Sequence, residues 1–324
     1  MRESLQRICE RFVENREVLR RNLAGADPRI RSICASMLLR TSYVDGDLLR
    51  EARDILNEET GVFSSFRGFA KMPSVTLLAL SGQPQTKINS AKETYDILKQ
   101  HFSRNEYLAL AALSLCDLAQ SWQMEEIAAR GRRLYKRMKK EHRFLTSQED
   151  YGFALLLAMD PRSDDQLIQE MENNFSTLRQ MFSSSNGLQT LTHVMVLSGP
   201  YCTCDRVREM FSQLRAEGLR YSKNYELGML GVIAGIPAPV AELVQEMKEV
   251  DVFLSNQKGY GVWGIGKKTR LMHAAMLVVT ERLGAQDASV SDTMLLSSTI
   301  AMIAAEQAAL CAIITANAAA AASA

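Results

Sequence analysis

The sequence predicts an all-helical protein built from stacked helical hairpins. Apolar residues recur at intervals of three and four along almost the whole chain, which is the spacing of one helix face, whereas the alternation typical of strands is nearly absent. The seven prolines fall between the apolar stripes, where a missing amide hydrogen does least harm to a helix. A chain of 324 residues that is 47% hydrophobic can build one large domain or two ordinary ones.

Short apolar segments return at a nearly regular spacing. Each is followed by a longer amphipathic segment, which can turn one face to solvent, whereas a short apolar helix must be covered on most sides. The alternation predicts two-helix repeats, stacked as an α-solenoid or as a curved α/α array. The short segments end at Gly82, Asp117, Asp160, Gly199 and Ile236, so that successive ends are 35, 43, 39 and 37 residues apart.

The stretch 291–324 differs from the rest because it is rich in alanine. It is long enough to span a bilayer, but Ser297, Glu306 and Gln307 interrupt it, and a charged side chain at the bilayer centre costs roughly 3 kcal/mol. Alanine also allows neighbouring helices to approach closely. We therefore disfavour membrane insertion and expect residues 1–290 to form the helical-repeat domain. Residues 291–324 are expected to form a helix packed on that domain or on a partner, including a second copy of the chain.

Charge and cysteine content narrow the classes of function. The 38 basic and 37 acidic residues leave a net charge of +1, whereas a protein whose whole surface binds nucleic acid is usually far more basic. The six cysteines are scattered, as small buried thiols are in a reducing compartment. The first residues carry frequent charges and lack the apolar region of a secretory signal. These features predict a cytoplasmic protein in which any anion site is local.

One loop resembles a nucleotide-binding motif without its structural context. Gly259, Gly261 and Gly264 have G-x-G-x-x-G spacing, but the preceding segment is helical, and a dinucleotide fingerprint follows a strand. A P-loop would have Ser or Thr for magnesium where Lys268 stands. Neither motif holds, and no cofactor is predicted. The glycines either let the chain cross closely over its neighbours or form an anion site at the start of the next helix. The ligand-binding candidates here are Trp263, Lys267, Lys268 and Arg270.

A second loop, residues 61–73, combines phenylalanines with Arg67 and Lys71. Aromatic rings beside cations can form a ligand platform, although aromatic residues in a linker more often seal the end of a core. In a repeat array the loops between repeats emerge on one rim, and the segment LRYSKNYE, residues 219–226, is another of them. Arg67 and Lys71 are therefore further ligand-binding candidates.

Catalytic and metal-binding signals are weak. His142, Glu149 and Asp150 lie close together in sequence and are the candidates for acid/base chemistry. However, Thr146 and Glu149 have the spacing of a helix-capping box, which explains both without catalysis. Cys202 and Cys204 lack the C-x-x-C spacing and the second pair typical of a zinc site, so that no metal is predicted.

The segment 130–143 contains eight basic residues and one acidic residue. Such a helix can bind nucleic acid or an anionic membrane surface. The alternative, which we favour, is a solvated outer helix whose charge is compensated by acidic neighbours such as QEMENN, residues 169–174.

Several segments resemble a known bacterial family. They include YKRMKKEHRFLTSQED, NGLQTLTHVMVL and GYGVWGIGKKTRLMHAAML, together with the alanine-rich tail, and they span nearly the whole chain in one order. The family is catalogued as a domain of unknown function, the four-thousand-and-third of its series. The resemblance implies a bacterial cytosolic protein whose tail is a family feature. It brings no reaction, cofactor or catalytic residue with it.

These observations predict a helical-repeat binding or scaffold protein that recognises a protein partner or a small anionic ligand at its inter-repeat loops. Two alternatives remain. One is a hydrolase or transferase acting on an anionic substrate, with His142, Glu149 and Asp150 transferring protons. The other is a peripheral membrane protein that binds through the basic helix or the tail.

Overall fold

The regular structure of the protein is helical throughout the residues described by a computed structural model. These are residues 1–284 without 24, 42, 44, 222, 225, 262 and 263, and residues 299–314 without 301. The all-α prediction is therefore confirmed, and residues 302–314 add a helical stretch after the last numbered helix. The numbered helices are α1 (Glu3–Asn22), α2 (Pro28–Met37), α3 (Gly46–Glu59), α4 (Lys71–Leu80), α5 (Pro84–His101), α6 (Glu106–Leu118), α7 (Met124–Glu141), α8 (Tyr151–Leu157), α9 (Asp164–Leu178), α10 (Ser185–Leu197), α11 (Cys204–Ala216), α12 (Leu227–Ala234), α13 (Val240–Ser255) and α14 (Lys267–Gly284).

Short apolar and long amphipathic helices occur where the sequence pattern predicts them. Every residue of the short helix α12 is buried, whereas the long helix α7 buries one stripe that includes Ile127, Leu134 and Met138. None of the described helices is long and apolar enough to cross a bilayer. The boundary expected at residue 290, and most of the tail that follows it, lie outside the described residues.

Most helix boundaries follow from local chemistry. Pro28 and Pro84 occupy the first positions of α2 and α5, and the Asn105 side chain accepts a hydrogen bond from the Leu108 amide at 2.8 Å to cap α6. Pro73 departs from the expectation that prolines lie between helices, because it is inside the first turn of α4. The fold tolerates it there since first-turn amides have no acceptor within the helix.

The chain divides into two compact units, which is one of the two arrangements that its length allows. The middle unit comprises residues 15–168, and the terminal unit comprises residues 1–14 with 169–324. In the middle unit the long helices α3, α5 and α7 contact one another in order, as do the short helices α4, α6 and α8. In the terminal unit α11 contacts α13, while α10 contacts α12 and α12 contacts α14.

Buried ion pairs hold the first residues of the chain in the terminal unit. The Arg2 guanidinium donates to Glu246 at 2.9 Å and to Glu281 at 2.8 Å, and Ser4 Oγ donates to Glu281 at 2.6 Å. Both carboxylates are almost fully buried, so that each needs such partners to offset the loss of water.

Two arginines on long helices close the turns that follow the next short helix. Arg130 on α7 donates to the carbonyls of Ala158, Asp160 and Arg162, after α8. Arg206 on α11 donates in the same way to the carbonyls of Ala234, Ile236 and Ala238, at the end of α12 and beyond it. The final carbonyls of a helix have no partner within it, and each arginine supplies donors for them.

Candidate anion-binding site

The chain reverses direction after α11 through a glycine. Gly218 has a φ of +74°, which is in the left-handed region that L-residues adopt only at a cost. The Gly218 amide donates to the Arg215 carbonyl at 3.1 Å, and the Leu219 amide donates to the Leu214 carbonyl at 2.8 Å. These two bonds form a Schellman motif, in which Leu214 and Leu219 are both buried. The motif ends α11 and directs the next residues back along it.

A basic cavity of about 710 Å³ lies in the terminal unit, where the segment after this turn faces the first turn of α14. Its apolar surface comes from Phe211 and Tyr221, which are both buried. No residue in the described lining of this cavity is acidic. The described residues of the lining are Phe211, Arg215, Gly218, Arg220, Tyr221, Lys223, Asn224 and Lys268.

The cations around the basic cavity are poorly neutralised. Lys223 donates to the Met181 carbonyl at 3.2 Å and lies 5.5 Å from the centre of the Phe211 ring. Arg215, Arg220 and Lys268 form no ion pair or side-chain hydrogen bond within the part of the chain that the structure describes. Glu217, the acidic residue nearest to Arg215 in sequence, is paired with Lys248 at 2.8 Å. The cavity therefore concentrates positive charge.

Two contacts fix the segment that carries Lys223. The Tyr221 hydroxyl donates to the Glu226 carbonyl at 3.0 Å, and burial raises the pKa of Tyr221 well above its usual value, so that the hydroxyl keeps its proton. The Asn224 carbonyl approaches the Gly187 Cα so closely that a Cβ on residue 187 would lie 2.1 Å from the oxygen. Only glycine fits at this position of α10.

The glycine loop is built for close backbone packing. Gly259 has a φ of +89°, its carbonyl accepts from the Ile265 amide at 2.8 Å, and a Cβ on Gly264 would lie 2.1 Å from the same oxygen. Between these glycines Tyr260 is buried, and its hydroxyl lies 2.7 Å from His273 Nδ1. These contacts favour the interpretation that the glycines let the chain fold tightly on itself.

We expect Gly264→Ala to lower the free energy of unfolding by about 2 kcal/mol, because the new methyl group must displace the Gly259 carbonyl from its hydrogen bond. Gly261→Ala is the matched control, since a Cβ there meets nothing within 4 Å. Guanidinium unfolding followed by circular dichroism checks the pair. Equal effects of the two substitutions would contradict the close-packing interpretation.

The candidates in the glycine loop have different environments. Lys267 and Lys268 are both exposed, but Lys268 lines the basic cavity and Lys267 lies outside its described lining. Arg270 is held by Asp251, with hydrogen bonds of 2.7 and 3.0 Å between largely buried side chains. Trp263 lies outside the described residues. Of the three described candidates, Lys268 lies at the cavity and Lys267 and Arg270 lie outside its described lining. Sequence analysis did not single out Arg215, Arg220 and Lys223, although two of them fall in the loop segment 219–226.

In the middle unit, Arg67 and Lys71 have separate environments. Arg67 donates to the Asn57 carbonyl at 2.7 Å and to the Thr60 hydroxyl at 3.1 Å, so that its guanidinium ties the loop to the end of α3. Lys71 begins α4 and lines a second cavity, together with Phe69.

The catalytic candidates lie at a helix cap. The capping box was predicted at Thr146 and Glu149, but the structure has it one residue further along the chain, at Ser147 and Asp150. The Ser147 amide donates to Asp150 Oδ2 at 2.8 Å. Burial, together with the charge of Glu149, raises the pKa of Asp150 to about 8 even though this hydrogen bond opposes the shift. His142 and Glu149 are half-buried.

The two neighbouring cysteines form hydrogen bonds with different partners. Cys202 Sγ donates to the Gly231 carbonyl at 3.0 Å, and Cys204 Sγ donates to Asn174 Oδ1 at 3.2 Å. Among the described residues no group of three His, Cys, Asp or Glu side chains is placed to hold a metal ion.

The positive charge of the basic helix α7 is neutralised by acidic residues on one side of the helix only. Asp164 pairs with Arg130 at 2.9 Å and with Arg133 at 3.4 Å, and Asp165 pairs with Arg137 at 2.7 Å. Compensation by the next helix is thus observed in the first turn of α9. The remaining basic residues of the helix form no ion pair within the described part of the chain: Arg132, Lys136, Lys139 and Lys140.

Comparison with known proteins identifies the family. A family model described as a protein of unknown function, DUF4003, matches residues 17–308 of the 324. The chain belongs to the DUF4003 family. No curated protein and no solved structure matches it. The DUF4003 match covers most of both units and includes every residue that lines the basic cavity.

Proposed function

We propose that this DUF4003 protein binds a small polyanion, such as a phosphorylated or polycarboxylate metabolite, in the basic cavity of its terminal unit. The observation that carries this proposal is the set of cations Arg215, Arg220 and Lys268, which surround a concave site without neutralising acids. A ligand with two or more negative charges would relieve their mutual repulsion. The buried rings of Phe211 and Tyr221 would supply an apolar contact for its carbon skeleton.

We propose as well that the helices are arranged as a repeat of stacked hairpins. Long helices contact long helices and short helices contact short ones in the middle unit. Arg130 and Arg206 bind the turns after α8 and α12 with the same spacing of 28 to 32 residues. Both observations support stacked αα-hairpins, whose connecting loops would carry the binding residues.

The test compares two adjacent lysines in the first turn of α14. We expect isothermal titration calorimetry to detect saturable binding of pyrophosphate or citrate. Lys268→Gln should weaken this binding about fivefold, the loss of one partly solvated charge contact. Lys267→Gln removes the same charge outside the cavity lining and should leave the affinity nearly unchanged.

Equal losses for the two lysine variants would mean that only the general surface charge attracts the anion. Added salt should weaken the binding, because exposed charges are screened over about 8 Å at physiological ionic strength. No saturable binding of either probe to the unaltered protein would contradict the proposal.

A second candidate function, peripheral membrane association, is favoured by the outer face of α7. Arg132, Lys136, Lys139 and Lys140 occur at helical spacing along one side of this helix and lack acidic partners among the described residues. Trp122, just before the helix, and Phe144, just after it, are exposed by 77% and 94%. Basic residues flanked by exposed aromatic rings are typical of surfaces that bind anionic lipid headgroups.

Sedimentation with liposomes tests the second candidate. We expect binding to vesicles that contain phosphatidylglycerol and a strong loss of binding in Lys136→Gln/Lys139→Gln/Lys140→Gln, at about 1 kcal/mol for each charge. Arg133→Gln/Arg137→Gln is the control on the same helix, since these arginines already pair with α9. Absence from the pellet at low and high salt would contradict this function. The enzyme alternative and the protein partner remain predictions from the sequence.

A further inference from the structure

The middle unit contains a second cavity, of about 500 Å³, with a different chemistry. It lies between the turn after α1, the helices α2 and α3, and the start of α4. Its apolar wall includes Leu23, Ile30, Met72 and Val75, which are all buried in the fold. A volume of this size is in the range of small-molecule sites, which combine mostly apolar walls with a few polar groups.

The charged side chains at this cavity form ion pairs, with one exception. Asp27 accepts from the Arg29 guanidinium at 2.8 Å and from the Arg29 amide at 2.7 Å. Arg53 donates to Asp54 at 2.9 Å. Lys71 forms no ion pair or hydrogen bond within the described chain. The cavity therefore has an apolar interior and one uncompensated positive charge.

Lys71 stands at the start of α4, where a 3₁₀ turn over Gly68–Ala70 runs directly into the helix. Its amide already donates to the Gly68 carbonyl, so that the charge at this end of the cavity is that of the ammonium group, which is exposed to solvent. The ammonium group favours an anionic ligand group there, beside the apolar wall. A ligand complementary to both features has a single negative charge joined to an apolar body.

We propose that the middle unit binds a medium-chain aliphatic monocarboxylate, with the carboxylate at Lys71 and the hydrocarbon chain against Leu23, Ile30, Met72 and Val75. This site is independent of the polyanion site because all its residues belong to residues 15–168, and either site can fail its test without the other. It differs in ligand class as well, since the described lining of the second cavity combines one unpaired cation with an apolar wall.

A chain-length series tests the apolar part of the site. Calorimetric titration with hexanoate, octanoate and decanoate should show saturable binding that strengthens by up to about fourfold for each methylene buried. Octanol tests the role of charge, and we expect it to bind more weakly than octanoate. An affinity independent of chain length, or no saturable binding of decanoate, would overturn the proposal.

Two substitutions test the placement of the ligand. Lys71→Met should reduce octanoate affinity about fivefold while leaving octanol affinity unchanged. Lys99→Met is the control: Lys99 lies on α5 outside the cavity lining, where it pairs with Asp96, and its replacement should change neither. Ala26→Phe should fill the cavity and abolish binding of both probes, because Ala26 is half-buried in its lining. Equal octanoate affinities in Lys71→Met and Lys99→Met would overturn the assignment, whether or not Ala26→Phe folds.

Discussion

Arg130→Met should lower the free energy of unfolding by about 3 kcal/mol, the largest loss that we expect from a single substitution outside the apolar core. The guanidinium donates to three carbonyls between residues 158 and 162, and it also pairs with Asp164 at 2.9 Å. Methionine keeps most of the side-chain volume but leaves these acceptors without a donor. Guanidinium unfolding followed by circular dichroism measures the effect.

Arg133→Met is the matched control for Arg130. Both arginines lie on α7 and contact Asp164, but Arg133 is 62% exposed and its only ion pair there is 3.4 Å long. We expect its replacement to cost less than about 1 kcal/mol. Arg130→Lys should recover little of the lost stability, because a single ammonium group cannot reach three divergent carbonyls as a guanidinium does. Similar losses in Arg130→Met and Arg133→Met would refute the proposed role of the carbonyl bonds.

Asp150→Asn should stabilise the protein at pH 7.5 by several kcal/mol. Burial raises the pKa of Asp150 to about 8, whereas the carboxyl of an unfolded chain titrates near 4. The folded protein therefore binds this proton more tightly than the unfolded chain does. Asparagine keeps an oxygen that can accept from the Ser147 amide, but it carries no charge to desolvate.

The sign of this pH dependence follows from the raised pKa. The contribution of Asp150 to stability is fully present below about pH 4 and is lost as the pH rises towards 8. The difference between Asp150→Asn and the unaltered protein should therefore be small at pH 4.5 and large at pH 7.5. Urea unfolding at several pH values measures it. Glu149→Gln removes a charge that helps to raise the pKa of Asp150, so that it should reduce the pH dependence without abolishing it. A difference that does not grow with pH would show that Asp150 is not desolvated.

The helices were predictable because their signals are local. Apolar spacing located the short segments that became α4, α6, α8, α10 and α12. The capping box was missed by one residue because Thr146-x-x-Glu149 and Ser147-x-x-Asp150 have the same pattern. The structure shows that Asp150 returns its carboxylate to the Ser147 amide.

The binding candidates were predictable only in part. Arg67, Lys268 and Arg270 look alike in sequence, as basic residues in or beside loops. In the structure Arg67 and Arg270 are held by groups 7 to 19 residues away, whereas Lys268 is left at a cavity. Arg215 and Arg220 were passed over because their significance depends on the Gly218 turn, which brings two ordinary surface residues to one site.

The sequence by itself determined that the chain is helical, where its short and long helices lie, and that it resembles the DUF4003 family. Apolar periodicity and helix-start residues act over a few positions, so that they can be recognised without a structure. Only the tertiary structure decided which charges are neutralised and which face a cavity. Ion pairs such as Arg130 with Asp164 join residues 34 positions apart, and desolvation depends on every helix that packs around a group.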